Sequence, residues 1–289
     1  MSVEGPSNCV ICGSSHHQRL FEKGGVVYWS CVGCGVEVTW PLPSVEDLSA
    51  YYEASYEAGL YKPFVETKGL LQKRARVRLH QVLPYAQRGR WLDIGCAKGD
   101  FVEAASFVEG VEAMGIEVAE RAVALARAAG RNVVSSSIEA FRAEEPFDTL
   151  TAFDVIEHTV DPRIFLRAAL TLLRPGGSLI ITTPNTASLS RRLLGADWYF
   201  YLPGEHIYHF DKSNLRQIME QEGFRVVKVS GVAKHVSFDY SLAEFQETSP
   251  AMFKLGKAVR PLIPRSLREM LVPLRLGEIL AVATKPEHA

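Results

Sequence analysis

The chain has 289 residues, a hydrophobic fraction of 47% and a charged fraction of 22%, the proportions of an ordinary globular protein. This length accommodates one large α/β domain and a small accessory module. The formal net charge of -1 excludes a global attraction to nucleic acid, although a local basic patch stays compatible with it. The sequence shows no signal-peptide pattern at its start and no apolar run of membrane-spanning length. We therefore expect a cytoplasmic protein without a transmembrane segment.

Four of the five cysteines form two Cys-x-x-Cys pairs within the first 34 residues. The predicted metal ligands are Cys9, Cys12, Cys31 and Cys34. Eighteen residues separate the pairs, which is the spacing of a two-knuckle zinc site, and a glycine follows each pair. Four protein ligands close the zinc tetrahedron, so the pattern predicts structural zinc rather than catalytic zinc. A redox-active dithiol is the alternative, but it would need only one pair.

The N-terminal 85 residues are predicted to contain two regions. Residues 1–43 form the zinc ribbon, with strands at VVYWSC and VEVTW. Residues 44–85 form a helical linker or lid, in which Ser44 is a candidate N-cap with Asp47 three residues later. Residues 64–83 are a predicted helix with many lysines and arginines, whose basic face we interpret as solvated.

From residue 86 onward, predicted strands and helices alternate. The strands are WLDIG, AMGIE, RNVV, FDTLTAFD, SLIITTP, FRVVKVSG and EILAVATKP. The helices between the first five are predicted at 100–108, 119–129 and 161–173. This alternation predicts an α/β domain, 86–289, with a parallel sheet covered by helices on both faces. Two insertions interrupt it, at 186–210 and 236–276.

The first strand of this domain ends in DIGCAKGD, a loop of small residues that leads into a helix. Gly95 and Gly99 remove side chains that would keep a ligand away from the backbone N–H groups of the loop. The loop lacks the G-x-G-x-x-G pattern of pyrophosphate-binding enzymes. Glu117 closes the second strand, where its carboxylate can accept hydrogen bonds from both hydroxyls of a ribose.

Four segments in this order, WLDIGCAKGDF, GIE, FDTLTAFDVIEH and LLRPGGSLIITTPN, resemble the class I methyltransferases that use S-adenosylmethionine. The resemblance covers about residues 86–231 and implies a Rossmann-like, seven-stranded methyltransferase sheet. It also implies a set of cofactor contacts. These are Asp93, Gly95, Cys96, Lys98 and Gly99 in the loop, Glu117 at the ribose, Ser137 and Ile138 at the adenine, and Asp154 after the fourth strand. Ser137 stands where many relatives carry an acid, which leaves the hydrogen bond to the adenine amine open.

The candidate catalytic residues follow the fourth and fifth strands. Asp154, Glu157 and His158 come first, and His206 lies in GEHIYHF. One hypothesis makes His158 or His206 a general base with a carboxylate partner. A second makes all four residues ligands of magnesium, manganese or iron. This arrangement resembles the E-x-x-E-H plus distal histidine of small-RNA 3′-end 2′-O-methyltransferases and, more loosely, of ubiquinone-pathway O-methyltransferases. In a third, Glu157 and His158 only cap the next helix and shape the cofactor pocket.

The two insertions carry predictions about the acceptor and about partners. Segment 186–210 is predicted to form a lid over the acceptor. Its aromatic candidates for stacking on a sugar or another ring, with core packing as the alternative, are Trp198, Tyr199, Tyr201 and Tyr208. Insertion 236–276 is basic and amphipathic, and we expect it to pack on the domain or on a homodimer partner rather than on a membrane surface.

The expected function is methyl transfer from S-adenosylmethionine to a small-molecule acceptor. The two knuckles, the linker and this domain together resemble a bacterial subgroup linked to sugar and polysaccharide modification, which implies a sugar, a nucleotide-sugar or a lipid-linked glycan. An RNA methyltransferase is the alternative, favoured by the zinc ribbon and the basic helix and opposed by the near-neutral charge. A non-catalytic binding protein that keeps the fold is the third possibility.

Overall fold

The computed structural model describes residues 5–44, 47–48, 51, 68–242 and 250–287. The strands are β1 (His17–Lys23), β2 (Val26–Cys31), β3 (Glu37–Trp40), β4 (Gly89–Ile94), β5 (Val111–Glu117), β6 (Val133–Ser135), β7 (Phe147–Phe153), β8 (Leu173–Pro184), β9 (Tyr208–His209), β10 (Arg225–Val236) and β11 (Val272–Thr284). The helices are α1 (Lys68–Val82), α2 (Asp100–Ser106), α3 (Glu120–Ala128), α4 (Pro162–Leu172), α5 (Leu189–Leu194), α6 (Lys212–Gln221), α7 (Pro250–Val259) and α8 (Arg265–Arg268). None of these helices is long and apolar enough to cross a membrane.

The larger sheet has seven strands in the order β10-β11-β8-β7-β4-β5-β6. The strands from β8 to β6 pair in parallel, whereas β11 runs antiparallel to both β8 and β10. All seven predicted strands are present, and the predicted α/β class with a seven-stranded sheet is confirmed. Because β4, β5, β7 and β8 are parallel, their carboxyl ends meet at one edge, where open α/β sheets bind ligands.

Two helices show how the sequence sets local structure around that edge. The Asp161 carboxylate accepts hydrogen bonds from the N–H groups of Arg163 and Ile164, and Pro162 occupies the first turn of α4. The buried apolar residues of α4 recur at helical spacing. They are Phe165, Leu166, Ala169 and Leu172. The second helix, α6, begins in a complete capping box between Asp211 and Asn214.

The helix α1 differs from its predicted role. Lys73 and Arg76 are exposed, as a solvated basic face requires. Arg74, however, lies over the ring of Tyr240 at 4.0 Å, and Arg78 lies over the ring of Phe153 at 4.4 Å. The interpretation of the whole basic face as solvated is therefore wrong for these two arginines, because each finds an aromatic surface inside the fold. Residues 64–67 of the predicted helix lie outside the described residues.

The segment before α1 agrees with its predicted cap where the structure describes it. The Asp47 N–H donates to the Ser44 hydroxyl at 3.0 Å, and the Ser44 N–H donates to the Asp47 carboxylate at 3.2 Å. Asp47 therefore serves in the position that glutamate usually takes in a capping box. Most of the predicted linker up to residue 67 lies outside the described residues.

A second, four-stranded sheet has the order β1-β2-β3-β9 and joins the N-terminal ribbon, which carries the four cysteines, to the larger domain. Its fourth strand, β9, comes from segment 186–210, and its residues Tyr208 and His209 pair with Val38 and Glu37 of β3. Ribbon residues Ile11, Val36 and Val38 belong to the same core as Ile156 and the buried face of α4. The predicted boundary after residue 43 thus separates two segments that share one sheet and one core.

Arg163, at the start of α4, makes a polar connection between the two units. Its guanidinium donates to the carbonyl oxygens of Val10 and Ile11 in the first cysteine knuckle, the latter at 2.7 Å. It also pairs with Glu222, whose side chain is 5% exposed. The carbonyl oxygens of the knuckle thus receive a charged donor from the other domain, which fixes the orientation of the ribbon.

The insertion 236–276 is described over 236–242 and 250–276. It contains α7, α8 and a short 3-10 helix, Arg260–Leu262. Arg260 and Arg268 both form ion pairs with Asp239, at 2.8 and 3.6 Å. All three residues belong to the insertion, so these pairs connect its two described parts to each other, and packing on the domain or on a homodimer partner stays a prediction.

Replacing Arg163 with methionine should lower the free energy of unfolding by about 1.5–3 kcal/mol, the range for hydrogen bonds to charged groups. Urea unfolding followed by circular dichroism measures this change. Arg216→Met is the matched control, because Arg216 pairs with Glu220 on an exposed face and should change stability by less than about 1 kcal/mol. Equal stability of the two variants would contradict the assigned role of Arg163.

Candidate functional site

The four N-terminal cysteines converge on one point. Their sulfur atoms all lie within 4.8 Å of one another, with separations of 3.5 Å for Cys9–Cys34 and 3.4 Å for Cys12–Cys31. Both separations exceed the roughly 2.05 Å of a disulfide bond. Tetrahedral zinc with bonds of about 2.3 Å places its sulfur ligands roughly 3.8 Å apart, so the cluster fits a zinc ion.

The backbone around the cysteines forms two matching knuckles. Gly13 and Gly35 adopt φ angles of 73° and 76°, and their N–H groups donate to the carbonyl oxygens of Cys9 and Cys31 at 2.9 Å. The Ile11 N–H donates to the Cys9 sulfur at 3.4 Å. Hydrogen bonding from the neighbouring thiol of Cys34 lowers the pKa of Cys9 to about 4. Burial raises the pKa of Cys12, and hydrogen bonding to Cys9 raises that of Cys34, so a bound cation such as the predicted zinc would be needed to hold all four sulfurs as thiolates.

The predicted cofactor loop follows β4 at the carboxyl edge of the larger sheet. The Asp93 carboxylate accepts a hydrogen bond of 2.7 Å from the Thr151 hydroxyl, and its burial raises its pKa to about 7. Gly95 and Gly99 have φ angles of 66° and 73°. A Cβ atom on Gly95 would lie 2.7 Å from the Val155 side chain, so the close approach of these two segments requires glycine.

Glu117 is positioned against this loop. Its carboxylate accepts hydrogen bonds from the N–H groups of Ala97, Val118 and Ala119 at 2.9, 2.8 and 3.0 Å. Because each carboxylate oxygen can accept more than one hydrogen bond, these contacts orient Glu117 and leave capacity for the two ribose hydroxyls. The structure therefore brings the predicted loop and the predicted ribose ligand together.

The other predicted cofactor residues surround the same edge. Cys96 is buried, and a Cβ atom on Gly115 would meet its sulfur at 2.5 Å, so the thiol fills a space that glycine leaves. The backbone carbonyl of Lys98 accepts a hydrogen bond from Arg131. Ile138 is buried, and the Ser137 hydroxyl accepts the Ala140 N–H at 3.3 Å.

A cavity of about 230 Å³ opens beside the loop, between α1, the end of β8 and β10. Asp154 lies next to it with a φ angle of 58°, accepting hydrogen bonds from Thr182 at 3.1 Å and from Arg78 at 3.2 Å. Burial disfavours the charge of Asp154, but Arg78 and Lys234 outweigh this effect and hold its pKa below the usual value. Asp154 thus stays ionised at the cavity.

The sequence-predicted site residues did not include several charged residues that line this cavity, of which three bear on its charge. They are Arg78 on α1, Lys234 on β10 and Glu278 on β11. Lys234 and Glu278 form an ion pair of 3.0 Å in which both side chains are largely buried. A buried ion pair between adjacent strands leaves no pattern in the sequence, so Lys234 and Glu278 could not be predicted as site residues. Only Arg78 offered a signal, because it lies at the boundary of the apolar face of α1.

Three of the four predicted catalytic residues form a second cluster. The ligand atoms of Glu157, His158 and His206 all lie within 4.8 Å of one another. The two histidine rings are 4.5 Å apart between centroids and nearly perpendicular. Asp154 belongs instead to the cofactor cavity, through its contacts with Arg78 and Thr182. The four predicted catalytic residues are thus divided between this cluster and the adjacent cavity.

Burial sets the protonation of this cluster. It raises the pKa of Glu157 well above its usual value, lowers the pKa of His158 to about 4 and lowers the pKa of His206 well below its usual value. The His206 Nδ1 lies 2.8 Å from the Phe200 carbonyl oxygen, which assigns the proton to Nδ1 and leaves a lone pair on Nε2. Neutral imidazole with this support is the form that binds metals.

Only one of the two carboxylate oxygens of Glu157 has a hydrogen-bond partner among the described residues. Its Oε2 accepts a hydrogen bond of 2.9 Å from the Thr183 hydroxyl, whereas Oε1 is buried and has no hydrogen-bond partner among the described residues. A buried oxygen of this kind is costly unless another group satisfies it. One carboxylate and two neutral imidazoles suit a divalent cation that accepts oxygen and nitrogen ligands, so the cluster fits the predicted metal.

Neither Glu157 nor His158 caps the helix that follows. Both lie in a short 3-10 helix, Ile156–His158, and Asp161 is the N-cap of α4. The capping part of the third hypothesis is therefore wrong, and its other part, that the two residues shape the cofactor pocket, stays a prediction. The aromatic lid residues also differ from the stacking hypothesis, because Trp198, Tyr201 and Tyr208 are at most 5% exposed and pack in the core. Of the four aromatic candidates, only Tyr199 is not buried.

Comparison with known proteins identifies the family of the chain. A family model described as "Methyltransferase domain" matches residues 69–229, more than half of the chain. The chain belongs to this methyltransferase family. The match begins in α1, so the family model includes the helix that supplies Arg78 to the cavity as well as the sheet.

Two curated relatives are named ubiquinone biosynthesis O-methyltransferase. The protein from Xanthomonas euvesicatoria is 31% identical over 157 residues, which cover 50% of this chain and 65% of the relative. The protein from Cereibacter sphaeroides is 31% identical over 178 residues, which cover 56% of this chain and 70% of the relative. The methyltransferase thus spans about two thirds of the length of these relatives.

The fold is also found among solved structures. A chain from the Haloferax volcanii complex between the Trm112 methyltransferase activator and a methyltransferase is similar, with a TM-score of 0.57. It is 15% identical, and the similarity covers 82% of this chain and 98% of that chain. At this identity the similarity shows the fold alone.

The methyltransferase should retain a single zinc ion per chain after dialysis against a chelator, because four thiolates close its coordination. Cys12→Ser should lose this ion, which elemental analysis against protein concentration measures. Cys96→Ser is the control and should keep it, since Cys96 lies in the cofactor loop. A well-folded wild-type preparation without bound metal would contradict the zinc assignment.

His209→Phe should reduce the acid sensitivity of the fold. Burial lowers the pKa of His209 to about 3, from about 6.5 in the unfolded chain. Between these values only the unfolded chain binds the proton, so this group removes up to about 1.4 kcal/mol of stability per unit of falling pH. Urea unfolding at about pH 7, 6 and 5 should show a shallower decline for the variant. The exposed His80→Gln control should retain the wild-type slope, and identical slopes for His209→Phe and wild type would contradict the assignment.

Proposed function

We propose that this methyltransferase transfers a methyl group from S-adenosylmethionine to a hydroxyl oxygen of a small-molecule acceptor, with a divalent cation held by Glu157, His158 and His206. The observation that carries this proposal is the buried cluster of these three residues beside the cofactor cavity. Two neighbouring residues of β8 connect the cluster to the cavity. The Thr182 hydroxyl donates a hydrogen bond to Asp154, and the Thr183 hydroxyl donates one to Glu157.

The residues around β4 and β5 would bind the cofactor. The loop with Gly95 and Gly99 lets backbone N–H groups approach the methionine portion, and Glu117 faces the same loop from the end of β5. S-adenosylmethionine supplies a methyl group on a sulfonium, whose transfer is an in-line displacement. Positioning and exclusion of water therefore supply most of the acceleration that the chain itself contributes.

An acceptor hydroxyl must lose a proton during this transfer. His158, with a pKa of about 4, is a weak base at neutral pH, and the Nδ1 of His206 is held by a carbonyl oxygen. Both histidines are thus better suited as ligands than as free bases. A divalent cation, when bound, would lower the pKa of a hydroxyl that coordinates it, so that the acceptor could release its proton to water as the methyl group is transferred. Glu157 would contribute the negative charge that holds the cation, through the oxygen that no other described residue satisfies.

The acceptor class rests on two considerations. Relatives named O-methyltransferases support an oxygen acceptor, and the subgroup that the sequence resembles supports a sugar, a nucleotide-sugar or a lipid-linked glycan. The RNA alternative loses part of its basis, because Arg74 and Arg78 face inward and the ribbon is packed into the domain. Retention on RNA that weakens with salt would restore it.

Replacing Glu157 or His206 with alanine should each lower turnover at least roughly tenfold, the low end for losing a positioned proton-transfer group. Release of S-adenosylhomocysteine, assayed with a panel of sugars, nucleotide-sugars and RNA, measures turnover. Isothermal titration with Mn²⁺ measures metal binding on the same samples, and both variants should weaken it.

Glu145→Gln is the matched control, because Glu145 is an exposed carboxylate before β7, at the opposite end of the sheet. It should leave both turnover and Mn²⁺ binding unchanged. Wild-type turnover in both alanine variants would exclude this cluster as the catalytic site. Reduced turnover without Mn²⁺ binding in the wild type would exclude the metal and favour the general-base hypothesis.

A further inference from the structure

The backbone of Ile207 links the zinc ribbon to the catalytic cluster. Its N–H donates to the carbonyl oxygen of Glu157 at 2.8 Å, and its own carbonyl oxygen accepts the N–H of Thr39 on β3 at 2.9 Å. Ile207 directly follows His206 in the chain. The position of His206 is therefore set from two sides, by the turn that carries Glu157 and by a strand of the ribbon.

Glu37 on β3 provides a second connection to the same segment. Its carboxylate is 5% exposed, accepts a hydrogen bond from the Tyr201 hydroxyl and pairs with Arg191 of α5 at 2.8 Å. Arg191 also donates to the Tyr201 hydroxyl at 2.9 Å, which closes the triangle. A buried carboxylate with two charge-assisted partners holds its neighbours in one geometry.

Tyr201 transmits this restraint to the catalytic histidine. The residue before it, Phe200, supplies the carbonyl oxygen that holds the Nδ1 of His206. The ring of Tyr201 packs edge-on against Tyr28 of β2 at 5.0 Å and lies 5.0 Å from the ring of His209. The ribbon thus contacts the segment 200–209 through a carboxylate, an aromatic ring and a β-ladder, all close to His206.

We propose that the zinc ribbon positions the catalytic cluster, with Glu37 as the positioning residue that acts through Tyr201 and the Phe200 carbonyl on His206. The ribbon owes its own geometry to the cysteine cluster and to Arg163, as described above. Glu37 follows Cys34 by three residues, so it lies directly beyond the second knuckle. The expected effect of Glu37 on catalysis rests on the proposed function, whereas the restraint that Glu37 places on His206 does not depend on it.

The test uses isosteric changes in the full-length, zinc-loaded protein. Glu37→Gln removes the charge, and Tyr201→Phe removes the hydroxyl but keeps the ring. Glu22→Gln is the matched control, because Glu22 is a ribbon carboxylate that pairs with Arg19 on the exposed face of β1. Equal zinc content in all samples shows that each ribbon is intact, and Tyr201→Phe decides the test if Glu37→Gln does not fold.

Amide hydrogen exchange of the segment 200–210 is the first readout, because it needs neither substrate nor catalytic metal. Both test variants should increase exchange there at least roughly tenfold, since the freed segment opens more often. The Glu22→Gln control should not. Exchange within twofold of wild type in both test variants would overturn the inference.

Titration with Mn²⁺ is the second readout. Both test variants should raise the Kd at the Glu157–His158–His206 cluster roughly tenfold to a hundredfold, the range for groups that orient metal ligands. An unchanged Kd together with unchanged exchange overturns the positioning role. If the wild type binds no Mn²⁺, the metal part of the proposed function fails, and the exchange measurement alone decides the present inference.

Discussion

The pairing of β3 with β9 is the contact on which the rest of the structure depends. A small ribbon cannot bury enough apolar surface to fold by itself, so it needs metal ligation and a neighbouring core. The pairing supplies the neighbouring core, because β9 extends the ribbon sheet and brings apolar residues of the ribbon into the core of the larger domain. The same pairing places His209 opposite Glu37 and holds the chain immediately after His206.

Charge burial is the second constraint, and it divides the carboxyl edge of the larger sheet into two chemical environments. At the cofactor cavity, Asp154 stays ionised because Arg78 and Lys234 face it. At the cluster, Glu157 has no cationic side chain in hydrogen-bond contact among the described residues, and two neutral histidines lie beside it. The left-handed backbone at Asp154 turns the chain so that residues three positions apart enter different sites.

Much of the fold was predictable from local patterns. The alternation of apolar strands and helices indicated all seven strands of the larger sheet, because buried parallel strands and amphipathic helices leave different periodicities. The positions of the DIGCAKGD loop and of Glu117 were also predictable. Glycines allow a tight turn after a strand, and a carboxylate at the end of the next strand lies at the same edge of the sheet. The inward orientation of Arg74 and Arg78 was not, because the same helical pattern is compatible with a solvated basic face.

The sequence by itself determined the cysteine knuckles and the order of strands and helices along the chain. It also determined that four candidate residues follow the ends of two strands: Asp154, Glu157, His158 and His206. Only the tertiary structure decided that Glu157, His158 and His206 form one cluster while Asp154 joins Arg78 at the cofactor cavity. It also decided that the ribbon shares a sheet with the segment that follows His206. The physical reason is that these arrangements depend on burial and on contacts between residues distant in the chain, 76 positions for Arg78 and Asp154 and 154 positions for Glu37 and Arg191, and neither leaves a periodic trace in the chain.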